Sequence, residues 1–330
     1  SSHTVVELQN SGYDVVIVDN LSNSRADVVD HIEQITGIRP AFEHVDCLDY
    51  EGMDAVFKKY PGIKGVIHFA ASKAVGESVQ KPLLYYRNNL VSLINVLELM
   101  PKHNVNGIIF SSSCTVYGQP DVLPVTEAAP IKKAESPYGN TKQINEEIVR
   151  DTVASGSPIN AILLRYFNPI GAHPSALIGE LPNGVPQNLV PYVTQTAMGI
   201  REKLSVFGDD YDTPDGSCIR DYIYVVDLAK AHVIAMKRIL EGKQKDKVEV
   251  FNLGTGRGLS VLELVHSFEE ATGVKLNYQI VGRRAGDIVK VWADPTYANK
   301  ELGWKADTPM VDVLRSAWNW QVHLRETGVQ

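Results

Sequence analysis

The sequence predicts an α/β protein, a Rossmann-like doubly wound parallel sheet joined to a smaller α+β domain. Three observations carry that expectation. Short apolar runs at 14–19, 41–46, 65–70, 107–112 and 160–166 alternate with helical segments, and such alternation means a parallel sheet covered on both faces. Polar or small residues follow several runs: Asp46-Cys47, Phe69-Ala70-Ala71-Ser72-Lys73, Ser111-Ser112-Ser113 and Tyr166-Phe167-Asn168. They trace the sheet edge where folds of this kind bind ligands. After Asn168 the texture changes, with Pro169, Gly171, Pro174, Gly179, Pro182, Gly184 and Pro186 breaking the alternation. We therefore expect a nucleotide-binding domain at 1–168, to which 222–254 return, and a ligand-binding domain at 169–330.

Taken in order, residues 1–10 read as the body of a helix, with Val5, Val6 and Leu8 apolar and Gly12 as its stop. The strand at 14–19 ends in Asp19. In a dinucleotide-binding unit such an acid bonds the adenosine ribose; in other loops it caps the next helix, and the spacing alone leaves both open. Such a unit also needs a first strand and a Gly-rich turn, and neither precedes Ser1 in this chain. Their absence, and weak dinucleotide binding with it, is an expectation of the sequence. So is the alternative that the natural protein is longer. Helices are expected near 25–36, 50–59, 83–103 and 137–154. Later, 189–202 reads as a helix, 222–240 as a strand entering a helix, and 248–253 as a further sheet strand. The run Gly254-Thr255-Gly256-Arg257-Gly258 mimics a dinucleotide turn, but its third glycine is wrongly spaced, which counts against phosphate binding.

Composition narrows the function. A chain of 330 residues can bury a large core. Its net charge of -7, without a dense Lys/Arg block, argues against nucleic acid as a partner. Cys47, Cys114 and Cys218 stand apart, so no disulfide framework and no metal site is expected, and a reducing cytoplasm fits best. No apolar run approaches the ~18–20 residues of a membrane span.

The strongest chemical signal lies between Phe110 and Lys142. Ser113 follows an apolar strand, and Ser136-Pro137-Tyr138-Gly139-Asn140-Thr141-Lys142 opens a helix, with Ser136 as cap and Pro137 in the first turn. Four residues apart, Tyr138 and Lys142 share a helix face. A nearby ammonium favours phenolate, which would let the tyrosine serve as a base, and Ser113 can bond the same substrate hydroxyl. Tyr60 and Lys64 have the same spacing, but Pro61 and Gly62 destroy the shared face. Arg220-Asp221 and Arg283-Arg284-Ala285-Gly286-Asp287 are either diphosphate ligands or else solvated surface charges or Arg–Asp ion pairs.

With Ser2-His3-Thr4-Val5-Val6-Glu7-Leu8, Val18-Asp19-Asn20-Leu21-Ser22-Asn23-Ser24, Ile67-His68-Phe69-Ala70-Ala71, Ala74-Val75-Gly76-Glu77-Ser78-Val79, Gly171-Ala172-His173, Arg220-Asp221-Tyr222-Ile223 and Asn252-Leu253-Gly254 added to these motifs, the chain resembles the UDP-glucose 4-epimerases. These belong to the extended short-chain dehydrogenase/reductases, and the resemblance spans essentially the whole length. It implies tightly held NAD, a transient 4-keto sugar and no net oxidation. Tyr138 would be the base, Lys142 its tuner and a ligand of nicotinamide ribose, and Ser113 the group positioning the reacting hydroxyl. Asp19, Asn20 and Ser24 would serve the adenosine end, Asp46 and Cys47 the adenine, and Phe69, Ala70, Lys73, Asn88 and Tyr166 other parts of NAD. For the UDP-sugar the matching positions are Phe167, Asn168, Asn188, Leu189, Val206, Phe207, Arg220, Arg284 and Asp287. Some members place tyrosine where this chain has Val291, so UDP-N-acetylhexosamines are expected to fit as well as UDP-hexoses. A homodimer built on the helices after Pro82 and Pro137 is also implied. Two other readings stand beside this one. A nucleotide-sugar 4,6-dehydratase commonly carries Thr-Asp-Glu where this chain has Cys114-Thr115-Val116, and a cofactor-binding protein without turnover would not need the intact Ser, Tyr and Lys.

Overall fold

The computed structural model describes residues 1–329. The first half alternates helix and strand: α1 (Ser2–Asn10), β1 (Val16–Asp19), α2 (Val28–Thr36), β2 (Ala41–His44), α3 (Tyr50–Lys59) and β3 (Gly65–His68). Three successive helices follow, α4 (Val75–Gln80), α5 (Pro82–Tyr86) and α6 (Ser92–Lys102), then β4 (Gly107–Ser113), α7 (Pro137–Ala154) and β5 (Asn160–Tyr166). The second half contains β6 (Asn168–Ile170), α8 (Leu189–Ala197), β7 (Leu204–Phe207), β8 (Ile219–Arg220), β9 (Tyr222–Tyr224), α9 (Val225–Leu240) and β10 (Val248–Leu253). It ends with β11 (Leu259–Ser260), α10 (Val261–Thr272), β12 (Tyr278–Val281), α11 (Thr296–Leu302) and α12 (Met310–Glu326).

The central sheet is parallel, in the order β10-β5-β4-β3. The pair β1-β2 is also parallel but forms its own two-stranded sheet, not hydrogen-bonded to β3. All seven residues of β4 are buried, because helices cover both of its faces. On one face Ile108, Phe110 and Leu163 pack with α3, α6 and α7 residues such as Phe57, Leu97 and Val149. On the other, Ile109, Ile162 and Leu164 pack against Ala235, Met236 and Ile239 of α9 and Leu302 of α11. A separate core joins β6, β7 and β9 to α8, α10 and α12 through Val193, Val206, Tyr224, Phe268 and Leu314. Among the described residues no helix is long and apolar enough to cross a membrane, and no group of His, Cys, Asp or Glu is arranged to hold a metal ion.

Local signals set several boundaries. Asp49 caps α3 by accepting from Gly52 N, and Ser260 with Glu263 forms a reciprocal capping box at α10. Two expected helices differ. The segment 83–103 is not one helix: α5 passes through a π turn at Arg87–Val91 before α6 begins, a switch from i+4 to i+5 bonding that apolar periodicity does not report. The helix expected over 189–202 stops at Ala197, where Met198 leads into Gly199 with φ +85°.

Candidate active site

β4 and α7 bring the serine, tyrosine and lysine together. Ser113 ends β4 in extended conformation, its hydroxyl accepting from Thr115 N at 3.1 Å to start the short turn Cys114–Tyr117. Ser136 caps α7 by accepting from Gly139 N at 3.1 Å, and Pro137 fills the first turn. The Ser113 hydroxyl faces the same cavity as the Tyr138 phenol and favours its ionised form. Lys142 Nζ donates to Ser111 O at 2.6 Å and lies 5.8 Å from the Tyr138 ring centre.

The electrostatics of this site differ from what the Tyr–Lys spacing predicts by itself. Burial holds the Tyr138 phenol above its ordinary pKa and the Cys114 thiol adds to that, with the Ser113 hydrogen bond opposing. Burial, with the nearby Lys73 charge adding to it and the Glu146 carboxylate opposing, brings Lys142 down to about 7. Desolvation thus outweighs pairing in the pocket.

A single cavity of about 2690 Å³ runs along the carboxyl ends of the strands and takes in nearly every residue expected at the site. At one end, Asp19 accepts from Leu21 N (2.8 Å) and Ser24 Oγ (2.9 Å), while Asn20 Nδ2 donates to Asp46 Oδ2 (3.1 Å). Asp19 thus orders its own loop but does not cap α2, whose N-cap position is Asp27, and it borders the cavity with Ser24 and Cys47. After β3, the Phe69 ring lies 5.1 Å from His232, Ala70 lines the wall, and the Lys73 side chain is exposed along the cavity, its ammonium lowered by desolvation and opposed by Glu180 and Asp19. Asn88 Nδ2 donates to Ser72 Oγ at 3.0 Å. The Tyr166 hydroxyl meets His232 Nε2.

The other end belongs to the second half of the chain. Asn168 N bonds Asp221 O, Asn188 Nδ2 donates to Glu180 Oε1 at 2.7 Å, and Leu189 begins α8. Arg284 lies over the Phe207 ring at 4.9 Å and grips Asp287 through Nε and Nη2. Arg220 donates to the carbonyl of Ile219, and Val291 is packed with Val116, Tyr117 and Phe167 beneath the catalytic turn. Val206 is the exception. Period-2 alternation in β7 turns its side chain into the core and leaves Phe207 at the cavity.

The glycine-rich run at 254–258 has an internal anion. Thr255 N and Gly256 N donate to the Asp221 carboxylate at 2.9 and 3.1 Å, as does Ala293 N at 3.1 Å. A Cβ on Gly254 would stand 2.7 Å from Asp221 Oδ2, so glycine is required there. The amide nest is satisfied by a carboxylate instead of a phosphate.

Sequence reasoning missed three supporting groups. Asn89 ties Ser72 N and O to Thr141 of α7, and the π turn that aims it has no visible signature. Glu146 and Arg165 form a buried bidentate pair. Those two were detectable, since Glu146 follows Lys142 by one turn and Arg165 is a lone charge in an apolar strand.

Comparison with known proteins agrees with this geometry. Residues 1–254 match the profile of the NAD dependent epimerase/dehydratase family. A UDP-glucose 4-epimerase of Dictyostelium discoideum is 52% identical over 320 residues, covering 97% of this chain and 92% of the relative. The structure of a UDP-glucose 4-epimerase from Stenotrophomonas maltophila, with bound NAD and formylated UDP-arabinopyranose, superposes with a TM-score of 0.95 at 47% identity, over 99% of this chain and 96% of that one. Another, from Bifidobacterium longum in complex with NAD+ and UDP, gives 0.92 at 49% identity, over 98% and 95%. The chain belongs to the NAD dependent epimerase/dehydratase family and, within it, to the UDP-glucose 4-epimerases.

Proposed function

We propose that this protein interconverts UDP-galactose and UDP-glucose by inverting C4 of the hexose, with NAD as cofactor. The observation that carries the proposal is the meeting of Ser113, Tyr138 and Lys142 in a cavity that continues to Arg220 and Arg284. The residues present fit NAD: Lys142 is a buried ammonium and Lys73 is exposed along the cavity, neither in a salt bridge among the described residues, a donor set suited to ribose hydroxyls and phosphate. Asp19, Asn20, Ser24, Asp46 and Cys47 would hold the adenosine end, and Phe69, Ala70, Lys73, Asn88, Lys142 and Tyr166 the remainder. When bound, NAD supplies a reversible hydride acceptor and a positive charge, so the sugar is oxidised and reduced again without net change. Tyr138 takes the proton of the 4-hydroxyl and returns it, Ser113 holds that hydroxyl, and the Lys142 ammonium stabilises the phenolate. Arg220 and Arg284 anchor the diphosphate while the 4-keto hexose turns to present its other face. For Arg284 this means sharing with, or releasing, Asp287.

Water elimination has little support. The position after Ser113 carries Cys114, whose thiol burial pushes up to about 12, and Thr115, so no acid–base pair stands there. Residues 1–168 with 222–254 would form the NAD domain and 169–330 the UDP-sugar domain. The helices after Pro82 and Pro137, α5–α6 and α7, would carry a homodimer contact, and three free thiols suit a reducing cytoplasm. Val291 leaves room for UDP-N-acetylhexosamines. One NMR experiment tests the chemistry: with added NAD the protein converts UDP-galactose and UDP-N-acetylgalactosamine to their 4-epimers, Tyr138→Phe loses about 10²–10⁴-fold in kcat, and Val291→Tyr loses only the acetylated substrate. Dehydrated product, or a fully active Tyr138→Phe, would refute the proposal; equal activity of Val291→Tyr on both substrates would refute the pocket-size argument.

A further inference from the structure

One turn beyond Lys142 on α7, Glu146 is buried at 2% exposure against Arg165, also at 2%. Arg165 Nε and Nη2 reach Glu146 Oε2 and Oε1 at 3.0 and 2.6 Å, and Ser112 Oγ donates to Oε2 at 2.5 Å. Arg165 Nη1 continues to the Tyr117 hydroxyl (2.9 Å), which donates to Asn252 Oδ1 (2.6 Å). This chain of bonds joins α7 to β4, β5 and β10, the strands beneath the reacting groups. A buried ion pair is weak support for stability by itself, because desolvation offsets much of the attraction. Its location points elsewhere. Lys142 is surrounded by Tyr138, Phe110, the backbone carbonyl of Ser111, the imidazole of His68, the ammonium of Lys73 and, one turn away, Glu146. Of these, Glu146 is the carboxylate. It is itself faced by Arg165, Tyr117, Ser112 and the half-exposed Arg150, whose Nη1 lies 3.4 Å away.

We infer that Glu146, clamped by Arg165 and Ser112, is a positioning residue for the catalytic pair: it fixes α7 on the sheet and supplies the negative field that keeps Lys142 an ammonium. The inference rests on the proposed function only for its catalytic consequence; the charge of Lys142 is measurable without turnover.

The direction of the effect follows from charge alone. Replacing the carboxylate with an amide removes the one negative group acting on Lys142, so the ammonium loses its proton at lower pH. The test uses protein labelled with ¹³Cε-lysine, in which the Lys142 signal is the one absent from Lys142→Met. In Glu146→Gln that signal titrates about one pH unit lower than in the wild type. The alkaline limb of kcat for UDP-galactose epimerisation moves the same way, while KM stays within about twofold because Glu146 touches no substrate. Breaking a buried pair can prevent folding, so Glu146→Gln/Arg165→Met is measured alongside; it removes both charges and gives a smaller shift of the same sign. Wild-type titration of Lys142 in the folded variants overturns the inference, even if their stability falls. An inactive wild type with a displaced lysine signal would instead leave the inference standing and refute the epimerase reading.

Discussion

Lys142 holds an unfavourable electrostatic position in the site. It is 3% exposed, its contact is a carbonyl, and burial brings its pKa from an ordinary 10.5 to about 7. Between those two values the unfolded chain binds a proton that the folded chain does not. Stability therefore rises with pH across that window, and below about pH 7 the full penalty of burying an ammonium is present. Lys142→Met removes the penalty and fits the same unbranched space. In urea titrations of the ligand-free protein the variant is more stable than the wild type by on the order of 2 kcal/mol at pH 6.5. The gap narrows at pH 9.5, and epimerase activity is lost. A gap that does not change with pH would show that packing, and not charge, sets it.

At the scale of elements, α7 was the most legible part of the chain and the stretch before β4 the least. Ser136, Pro137 and the Ile144, Ile148 and Val149 face announce a helix, and the structure begins it at Pro137. Its start fixes the site, since Tyr138 lies in the first turn and any fraying there moves the phenol. Ser136→Ala leaves Gly139 N without its acceptor, costs about 1 kcal/mol in the urea transition, and lowers kcat more than KM; Ser136→Asp restores both. Equal stability of Ser136→Ala would mean that the Pro137 turn suffices alone. The α5–α6 segment was harder because the π turn at Arg87–Val91 leaves the apolar pattern continuous while rotating Asn88 and Asn89 toward Ser72. Matching positions to a family names Val206 and Phe207 alike, and does not say which of the two neighbours the strand turns toward the cavity. Asp221 shows the converse limit, since the residue that claims the amides of Thr255 and Gly256 lies far away in sequence.

For the whole molecule, one run of consecutive helices carries several exposed apolar side chains. Leu83 is 80% exposed, and Val79, Leu84, Val91 and Ile94 are also exposed on the run from α4 to α6, with α5 packed along α7. Apolar residues gathered in this way mark an interaction surface more often than isolated ones do. A two-fold axis lets one such face bury itself against its copy, and because α7 carries Tyr138 and Lys142, the contact would brace the catalytic helix. Sedimentation velocity at micromolar protein is expected to give a dimer, and Leu83→Glu, which places two like charges near the axis, a monomer. The monomer should fold with unchanged far-UV dichroism, show weaker epimerase activity, and regain activity as its concentration rises. A wild-type monomer, or a Leu83→Glu dimer of unchanged affinity, would assign this face to something other than a second copy of the chain.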